Sequence, residues 1–302
     1  MPEEIRAENS DCTVANGASI GVVPTGAALG AEIRGVDLSR PLTETALAAI
    51  EIAFNVHSVL RFGNQRLDAP QLAAFAQHFG EPQVIPYLQH YAHPERPDIM
   101  LVTNIQENGR NIGHADAGRV WHSDMSYMER PPRATMLYAL EVPEENGEPL
   151  GDTLFASAIA AYDALPQDTK KRLEGLSAIH RVSGRRKATG TGSEDNPARE
   201  RYPDMTHPVI RTHPVTGRKA IFVNDGECVG IVGMADEESQ PLISDLARHL
   251  IGTEYQYRHK WQTGDLVIWD NCAVQHLAVH DYEWPRHRRL MHRMTVGQTV
   301  PR

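Results

Sequence analysis

Two apolar segments near the C-terminus constrain the fold most, because each combines the pattern of a buried strand with charged or metal-binding side chains. Residues 264–276 begin with a Gly-Asp turn, continue as Leu-Val-Ile-Trp and end at His276. Runs of β-branched and aromatic residues of this kind favour a buried strand. Residues 288–296 predict a second strand, on which Arg289 and Arg293 share one face because side chains alternate along a strand.

Two arginines on one face of a largely apolar strand are costly to bury unless anions meet them. The pattern therefore predicts a pocket that receives one or two anionic groups beside a histidine. A surface strand whose arginines pair with neighbouring acids explains the same pattern. The strand by itself leaves both interpretations open.

Length, charge and cysteine content narrow the class of protein. A chain of 302 residues can form one large β-rich domain or two smaller ones. Its formal net charge of −9 argues against nucleic-acid binding, although it is compatible with a locally basic pocket. The start of the chain lacks the features of a signal peptide, no apolar run is long enough to cross a membrane, and the three cysteines form no disulfide or zinc pattern. We therefore expect a cytoplasmic protein with no nucleic-acid or membrane partner.

The order of predicted elements favours a single, mainly β domain. Residues 1–16 are polar and aperiodic, which is typical of a flexible tail, and residues 17–302 contain many short strands, a few helices and no internal repeat. This order suits a barrel or double sheet with helices outside. Asp68, with Gln71 three residues later, predicts the start of one helix. Residues 184–204 are polar and form either a solvated mobile loop or a lid over a site.

A metal site is predicted by His and Asp at a spacing of two. Mononuclear iron sites that activate oxygen commonly use two histidines and one carboxylate, and a His-x-Asp triplet on a strand presents two of these ligands on one face. Two such triplets occur, His114-Ala-Asp116 in a Gly-rich loop and His122-Ser-Asp124 between aromatic residues ahead of a long strand. The second context favours a ligand role for His122 and Asp124, with His276 as the third ligand. A surface or capping pair is the alternative.

Several motifs in one order resemble those of a known enzyme family. They are Gly-Ala-Glu-Ile-Arg-Gly-Val-Asp-Leu at 30–38, Trp-His-x-Asp at 121–124, Pro-Pro at 131–132, Gly-Asp-Thr at 151–153, Phe-Val-Asn-Asp-Gly at 222–226, Ile-Trp-Asp-Asn-x-x-x-x-His at 268–276 and Arg-Arg-x-Met-His-Arg at 288–293. From about residue 20 onwards, the chain is similar to the iron(II)/2-oxoglutarate dioxygenases of the taurine dioxygenase and 2,4-dichlorophenoxyacetate dioxygenase group.

The resemblance implies a fold and a set of site residues. The fold is a double-stranded β-helix, or jelly roll, with flanking helices. The implied iron ligands are His122, Asp124 and His276. Arg289, aided by the hydroxyl of Thr153, is expected to hold the far carboxylate of 2-oxoglutarate, because a guanidinium can meet a carboxylate in a planar, bidentate pair. Arg293 is expected to meet the anionic group of the substrate.

The implied enzyme uses iron(II), 2-oxoglutarate and O2 to hydroxylate a small organic anion such as a carboxylate, sulfonate, sulfate ester or phosphonate. Hydroxylation next to a heteroatom would also cleave that molecule. Family members often form dimers or tetramers, so a homo-oligomer is expected. Two other classes stay open: a jelly-roll isomerase or hydrolase with a non-redox metal, and a non-catalytic binding protein on the same fold. Arg289 and Thr153 argue against the first class, and an intact ligand triad argues against the second.

The substrate end of the implied pocket departs from the taurine enzymes. Residues 117–120 read Ala-Gly-Arg-Val where those enzymes have an asparagine, and Glu227 stands where they have a pocket aromatic. These departures argue against taurine itself as the substrate. Tyr87 and Tyr127 are candidate pocket walls, with core packing as the alternative. Glu227 is expected to be exposed to solvent; if it instead faces the pocket, it predicts a cationic group on the substrate.

Overall fold

The computed structural model describes residues 12–13, 19–182 and 202–302. Apart from residues 12–13, which pair as a short strand with residues 19–20, the predicted tail at residues 1–16 lies outside the described residues. The predicted mobile loop or lid at residues 184–204 lies outside them up to residue 201.

Short strands are spread over the whole described chain. In chain order they are β1 (Cys12–Thr13), β2 (Ser19–Pro24), β3 (Ala31–Arg34), β4 (Val59–Phe62), β5 (Ala92–His93), β6 (Arg96–Thr103), β7 (Gln106–Glu107), β8 (Arg110–Asn111), β9 (Ala134–Glu141), β10 (Glu144–Glu145), β11 (Glu148–Pro149), β12 (Thr153–Ser157), β13 (Ser177–His180), β14 (Met205–Pro208), β15 (Ile210–Thr212), β16 (Lys219–Ile221), β17 (Cys228–Ile231), β18 (Gln256–His259), β19 (Leu266–Asp270), β20 (Val274–Ala278) and β21 (Leu290–Val296). The prediction of a mainly β fold is confirmed.

Helices occupy the connections between these strands. The α-helices of the described residues are α1 (Glu44–His57), α2 (Ala69–Ala76), α3 (Ala158–Ala164), α4 (Gln167–Leu173) and α5 (Asp236–Leu250), and short 3-10 helices occupy Gln77–Phe79, Pro86–Tyr91 and Thr253–Tyr255. The predicted start of α2 is confirmed, because the Asp68 carboxylate accepts from the N–H of Gln71 at 2.8 Å while the Gln71 side chain accepts from the N–H of Asp68 at 2.9 Å. Within the described ranges, no helix is both long and apolar enough to span a bilayer.

A nine-stranded sheet forms the centre of the structure, in the order β1-β2-β3-β4-β19-β9-β21-β6-β5. Its internal pairings are antiparallel except that between β3 and β4, which is parallel. Two three-stranded sheets, β18-β12-β20 and β14-β13-β17, and three two-stranded pairs complete the described β-structure. The apolar runs of the two segments singled out by the sequence are therefore internal strands, β19 and β21, which flank β9 on either side, whereas His276, at the end of the first segment, lies on β20 of a different sheet.

The large sheet is covered on both faces, and β19 shows why. Ile268 belongs to the core beneath α1 and α2, together with Phe54 and Leu72. Its neighbour Trp269 belongs to the opposite core, together with Phe155 of β12. Because successive side chains on a strand point to opposite faces, a continuous apolar run such as β19 is buried on both sides. The face that carries Trp269 and Phe155 is the one that contains the site.

Candidate active site

One cavity brings together every individual side chain that the sequence singles out for a metal, a co-substrate or a substrate. It has a volume of about 320 Å³ and is lined by strands of the nine-stranded sheet and of the β18-β12-β20 sheet. The candidates on its wall are His122, Asp124, His276, Thr153, Arg289, Arg293, Tyr87, Tyr127 and Glu227. Motifs that are far apart in the chain therefore meet in a single site.

Backbone pairing brings the two histidines together. The N–H of His122 donates to the carbonyl of His276 at 3.1 Å, and the N–H of His276 donates to the carbonyl of His122 at 2.9 Å. The centroids of the two rings lie 4.2 Å apart. The expectation of a regular strand for the His-x-Asp triplet is wrong, because the chain turns directly after this isolated bridge, with Met125 at a φ of 49°. Asp124 reaches the histidines from within that turn.

The potential ligand atoms of the three residues face one another. Nε2 of His122 lies 3.5 Å, and Nε2 of His276 lies 3.9 Å, from Oδ1 of Asp124. One ligand atom of each residue lies within 4.8 Å of the others. These separations exceed those of good hydrogen bonds but are close to those of ligands sharing one ion, since two ligand atoms ~2.1 Å from an ion are up to ~4.2 Å apart. Two histidines and a carboxylate are the donor set typical of a mononuclear iron site with open positions.

The protonation state of the triad suits a cation. Nδ1 of His122 lies 2.8 Å from the carbonyl oxygen of Val120, and since a carbonyl can only accept, Nδ1 carries a hydrogen; in the neutral tautomer with this bond, the lone pair is on Nε2. Burial, and then the neighbouring His122, lowers the pKa of His276 to about 3, so this ring is neutral at pH 7. Burial opposes ionisation of Asp124, but Arg293 and the two histidines hold the pKa of its carboxyl well below the ordinary value.

A hydrogen-bond chain behind Asp124 fixes the orientation of its carboxylate. Thr135 of β9 donates its hydroxyl to Oδ2 of Asp124 at 2.7 Å, and the side-chain amide of Asn271 donates to the Thr135 oxygen at 2.9 Å. Both supporting residues are buried. Sequence reasoning missed them, although the place of Asn271 in the Ile-Trp-Asp-Asn motif was an available signal. These hydrogen bonds hold the carboxylate so that Oδ1 is directed at the two histidines.

Arg293 of β21 makes an ion pair with the same carboxylate. Its Nη2 lies 2.7 Å from Oδ1 of Asp124, and its side chain is 12% exposed. The sequence predicts that this arginine meets a substrate anion; the structure brings it to the cavity wall with Asp124 as its partner. The guanidinium therefore adds positive charge at the edge of the triad.

Arg289 is more deeply buried. It is 3% exposed, and its Nε has no hydrogen-bond partner within the described part of the chain. Its backbone N–H donates to the side-chain oxygen of Asn104 at 2.9 Å, which fixes the start of β21. Burial lowers the pKa of Arg289, and the nearby Tyr282 opposes this shift. A buried guanidinium in this state favours an anionic ligand, above all a carboxylate that it can meet with two parallel N–H groups.

Thr153, on the wall of the same cavity, is arranged as a hydrogen-bond donor. A Cβ added to Gly151 would lie 3.2 Å from Nε of Arg289, so the Gly-Asp-Thr turn packs closely against the arginine. Trp261, which is completely buried, donates its indole N–H to Oγ1 of Thr153 at 3.0 Å. Because an indole nitrogen only donates, Thr153 accepts this bond and keeps its own hydrogen for another partner. No sequence motif pointed to Trp261.

The two tyrosine candidates form one wall of the cavity. Their hydroxyl oxygens, on Tyr87 and Tyr127, lie 2.5 Å apart. The ring of Tyr202 stands edge-on to both, with centroid distances of 5.6 and 5.7 Å. Burial raises the pKa of Tyr87 and raises that of Tyr127 well above its ordinary value, so both hydroxyls are protonated at neutral pH.

The expectation that Glu227 is exposed to solvent is wrong. The residue is 2% exposed and lies on the cavity wall. Its N–H donates to the side-chain oxygen of Asn224 at 2.7 Å, and its carbonyl accepts from the N–H of Arg181 at 2.9 Å. These bonds turn the side chain inward, where Oε2 accepts from the hydroxyl of Ser126 at 2.5 Å. An acid after a Gly-containing turn is usually solvated, so the sequence alone favoured exposure.

The alternative triplet does not converge on a ligand site. His114 lines the cavity and stacks on Tyr91 with ring centroids 5.7 Å apart. Asp116, by contrast, has a side chain that is 69% exposed, and it pairs with Arg119 at 2.6 Å. The carboxylate of this triplet is therefore a surface group.

The chain matches one protein family along most of its length. The sequence profile described as taurine catabolism dioxygenase TauD, TfdA family matches residues 21–295. The alpha-ketoglutarate-dependent 2,4-dichlorophenoxyacetate dioxygenase of Cupriavidus pinatubonensis is 32% identical over 279 residues, which cover 89% of this chain and 95% of that protein. The alpha-ketoglutarate-dependent sulfate ester dioxygenase of Pseudomonas putida is 32% identical over 301 residues, which cover 96% of this chain and 93% of that protein.

Solved structures resemble the chain over a similar extent. A taurine dioxygenase from Burkholderia xenovorans superposes with a TM-score of 0.77 at 29% identity, covering 93% of this chain and 90% of its own. AAD-2, in complex with Mn(II) and N-oxalylglycine, superposes with a TM-score of 0.79 at 29% identity, covering 93% of this chain and 98% of its own. The similarity of sequence and the similarity of fold therefore agree.

Proposed function

This chain belongs to the TauD, TfdA family and is a 2-oxoglutarate-dependent dioxygenase, and from this premise we propose that it uses iron(II) and O2 to hydroxylate a small organic anion. The relatives act on 2,4-dichlorophenoxyacetate and on sulfate esters, so the proposed substrate is a carboxylate, sulfonate, sulfate ester or phosphonate. A cavity of about 320 Å³ that also receives 2-oxoglutarate limits the size of that substrate.

The proposed iron ligands are Nε2 of His122, Oδ1 of Asp124 and Nε2 of His276. Iron bound there supplies the redox chemistry that couples decarboxylation of 2-oxoglutarate, to succinate and carbon dioxide, to hydroxylation of a C–H bond. The protein contributes orientation: Val120 keeps the Nε2 lone pair of His122 available, and Thr135 holds the plane of the Asp124 carboxylate.

Arg289 carries the proposal, because it separates this function from other uses of a metal triad. Its guanidinium is buried on the wall of the same cavity as the triad and Thr153, and its Nε has no hydrogen-bond partner in the described residues. The far carboxylate of 2-oxoglutarate would satisfy both groups. A non-redox isomerase or hydrolase needs no such anchor, and a purely binding protein needs no metal triad, so neither alternative explains the whole site.

Arg293 is the proposed partner of the substrate anion. It lies four residues beyond Arg289, which directly precedes β21, and both line the same cavity, so that one arginine serves the co-substrate and the other the substrate. Fixing both anions holds a substrate C–H bond close to the metal position, and the aromatic walls exclude water. Hydroxylation beside a heteroatom would cleave the substrate.

Several further expectations accompany this proposal. We propose that the large sheet and the β18-β12-β20 sheet are the opposed sheets of a double-stranded β-helix, since side chains of both line the cavity. A single domain over residues 17–302, a cytoplasmic location and assembly into a homodimer or homotetramer stay predictions.

The test is spectroscopic and anaerobic. Iron(II) and then 2-oxoglutarate are added to the protein, and the weak visible charge-transfer band of the chelate is recorded. We expect the band to appear, after which carboxylates, sulfonates, sulfate esters and phosphonates are screened in air for succinate release. Iron binding without a band would contradict the co-substrate assignment and favour a non-redox metal enzyme.

A further inference from the structure

One tyrosine lies against the guanidinium of Arg289 without lining the cavity. Cζ of Arg289 stands 5.6 Å from the ring centroid of Tyr282, which is within the range of a cation–π contact. Burial lowers the pKa of Arg289, and the hydroxyl of Tyr282 opposes this shift. Arg289 lines the cavity, whereas the partly buried Tyr282 lies outside its described wall. The guanidinium therefore has the cavity on one side and the tyrosine ring on another.

The ring of Tyr282 is fixed against the Gly-Asp-Thr turn at residues 151–153. A Cβ added to Gly151 would lie 2.9 Å from Cε1 of Tyr282, so glycine is needed to leave room for the ring. The carboxylate of Asp281 accepts from the N–H of Gly151 at 2.7 Å. The ring of His280 stacks on that of Tyr282, with centroids 5.7 Å apart. The tyrosine is thus held relative to the turn that leads into Thr153.

The backbone of Arg289 is fixed independently of its side chain. The side-chain oxygen of Asn104 accepts from the N–H of Arg289 at 2.9 Å, and the side-chain NH2 of Asn104 donates to the carbonyl of His287 at 2.8 Å. Asn104 therefore ties down the start of β21. With the backbone held by Asn104 and the guanidinium flanked by Tyr282, the side chain of Arg289 is restrained at both ends.

A restrained guanidinium sets the length of the acid that it can bind. In the proposed function, one end of 2-oxoglutarate binds at the triad and the far carboxylate meets Arg289, so the separation of these two groups must match the length of the molecule. 2-Oxoadipate is longer by one methylene group and would need the guanidinium to move away from the triad. A site that cannot adjust discriminates against one extra methylene group by roughly 10- to 200-fold.

Resting on the proposed function, we propose that Tyr282 makes the site specific for 2-oxoglutarate over longer 2-oxo acids. It is a positioning residue that acts through Arg289, because its ring occupies the space into which the guanidinium would have to move. The ring determines the specificity, and the hydroxyl contributes only to affinity.

Binding measured in the absence of turnover tests this assignment. The iron(II) protein is titrated anaerobically with 2-oxoglutarate and with 2-oxoadipate, and the visible band of the chelate gives the Kd of each acid. We expect wild-type protein to bind 2-oxoglutarate roughly 10- to 100-fold more tightly than 2-oxoadipate.

Three variants of Tyr282 separate the ring from its hydroxyl. Tyr282→Leu removes the ring, so the ratio of the two Kd values should fall toward unity, chiefly because 2-oxoadipate binds more tightly than it does to wild-type protein. Tyr282→Ser makes a similar truncation with a side chain that tolerates solvent, and it should give the same result. Tyr282→Phe keeps the ring, so the ratio should be retained while both Kd values rise by up to about 5-fold.

Tyr162 offers a matched control elsewhere in the chain. It is a partly buried tyrosine on α3, and Nζ of Lys170 lies 5.1 Å from its ring centroid. Tyr162→Leu makes the same exchange beside another cation, and it should keep the wild-type ratio.

Equal binding of the two acids by wild-type protein, a wild-type ratio in a folded Tyr282→Leu or Tyr282→Ser protein, or an equal fall of the ratio in Tyr282→Phe or Tyr162→Leu would each overturn the proposal. The band itself separates these outcomes from failure of the proposed function. A band that forms with 2-oxoglutarate but shows no effect of Tyr282 on the ratio refutes only the role of this residue. Absence of the band with both acids refutes the co-substrate assignment on which that role rests.

Discussion

Two buried clusters in this protein contain the same residue types, histidine, aspartate and arginine, but differ in how close the histidines lie to the carboxylate. In one, Nε2 of His213 lies 2.8 Å from Oδ2 of Asp270, Arg133 pairs with the same oxygen, and the N–H of Cys272 donates to Oδ1 at 2.8 Å. In the other, the histidine nitrogens lie 3.5 and 3.9 Å from the carboxylate of Asp124. The histidine of the first cluster is hydrogen-bonded directly to its carboxylate, whereas both histidines of the second stand away from theirs.

The comparison shows that distance, rather than residue type, separates a structural network from a candidate metal site. Both aspartates are buried, and for both, neighbouring cationic and hydrogen-bonding groups keep the pKa of the carboxyl below its ordinary value against the effect of burial. Of these two aspartates, only Asp124 has two histidine Nε2 atoms near the same carboxylate oxygen at distances beyond those of good hydrogen bonds. Both carboxylate oxygens of Asp270 already have close partners within the protein, so neither is left open for a ligand.

Substitutions of the two aspartates themselves should have the largest effects, and should distinguish the two clusters. Asp124→Ala should remove iron binding and lower substrate-dependent succinate release by on the order of 1000-fold, while the cooperative thermal transition is retained. Asp270→Asn should leave the chelate band in place but destabilise the fold by about 3–5 kcal/mol, because Arg133 and His213 lose a buried anion.

Metal content, succinate release and thermal unfolding of the two variants decide the matter. Full activity in Asp124→Ala would contradict the ligand role of Asp124. Loss of iron binding in a folded Asp270→Asn protein would contradict the purely structural role of Asp270.

The next largest effect concerns the two arginines of the cavity. Arg289→Ala should raise the KM for 2-oxoglutarate roughly 100-fold, since it removes a buried partner of a carboxylate, and should change the KM of the primary substrate much less. Arg293→Ala should have the reverse pattern. Steady-state kinetics with each compound varied in turn give both constants. If Arg289→Ala weakened only the primary substrate, the roles of the two arginines would have to be exchanged.

A smaller effect, on the stability of the metal-free protein, is expected at acidic pH. His276 has a pKa of about 3 in the folded protein, below the ~6.5 of an unfolded chain. The unfolded chain therefore takes up a proton below pH 6.5 that the folded state excludes. This proton uptake favours the unfolded chain, so the free energy of unfolding decreases as the pH falls below about 6.5. Between pH 7 and pH 5, the free energy of unfolding of the metal-free protein should drop by about 2 kcal/mol through this residue.

Urea unfolding at the two pH values measures that drop. His276→Asn should remove this part of it and leave the part that arises from His180, whose pKa is also lowered to about 3. An identical drop in the variant would show that His276 does not titrate as expected.

The smallest expected effect comes from Trp261, which orients the Thr153 hydroxyl. Trp261→Phe removes the indole N–H and keeps an aromatic ring, so the KM for 2-oxoglutarate should rise roughly 5-fold, as for one neutral hydrogen bond. Thr153→Ala should raise it by a similar or larger factor, and the double variant should be less than additive. A purely structural role would instead lower the thermal midpoint without a selective change in the KM for 2-oxoglutarate.

Much of the secondary structure was predictable because it depends on short-range patterns. The apolar run of β19, the alternation along β21 and the reciprocal cap between Asp68 and Gln71 all follow from residues close together in the chain. The expected strand at residues 122–124 was wrong, because a single bridge to His276 replaces a regular ladder there. No local pattern reports that the chain turns after one pair.

The sequence by itself determined which chemical groups are present and which strands are buried on both faces. Tertiary structure alone decided which distant groups meet: the partners Trp261 and Thr153 are 108 positions apart, Asn271 and Thr135 are 136 apart, and Ser126 and Glu227 are 101 apart. The physical reason is that a side chain's neighbours across a sheet or cavity depend on strand order and register, and these minimise the free energy of the whole chain. Glu227 is the clearest case, because only its buried partners turned an expected surface acid into a group on the cavity wall.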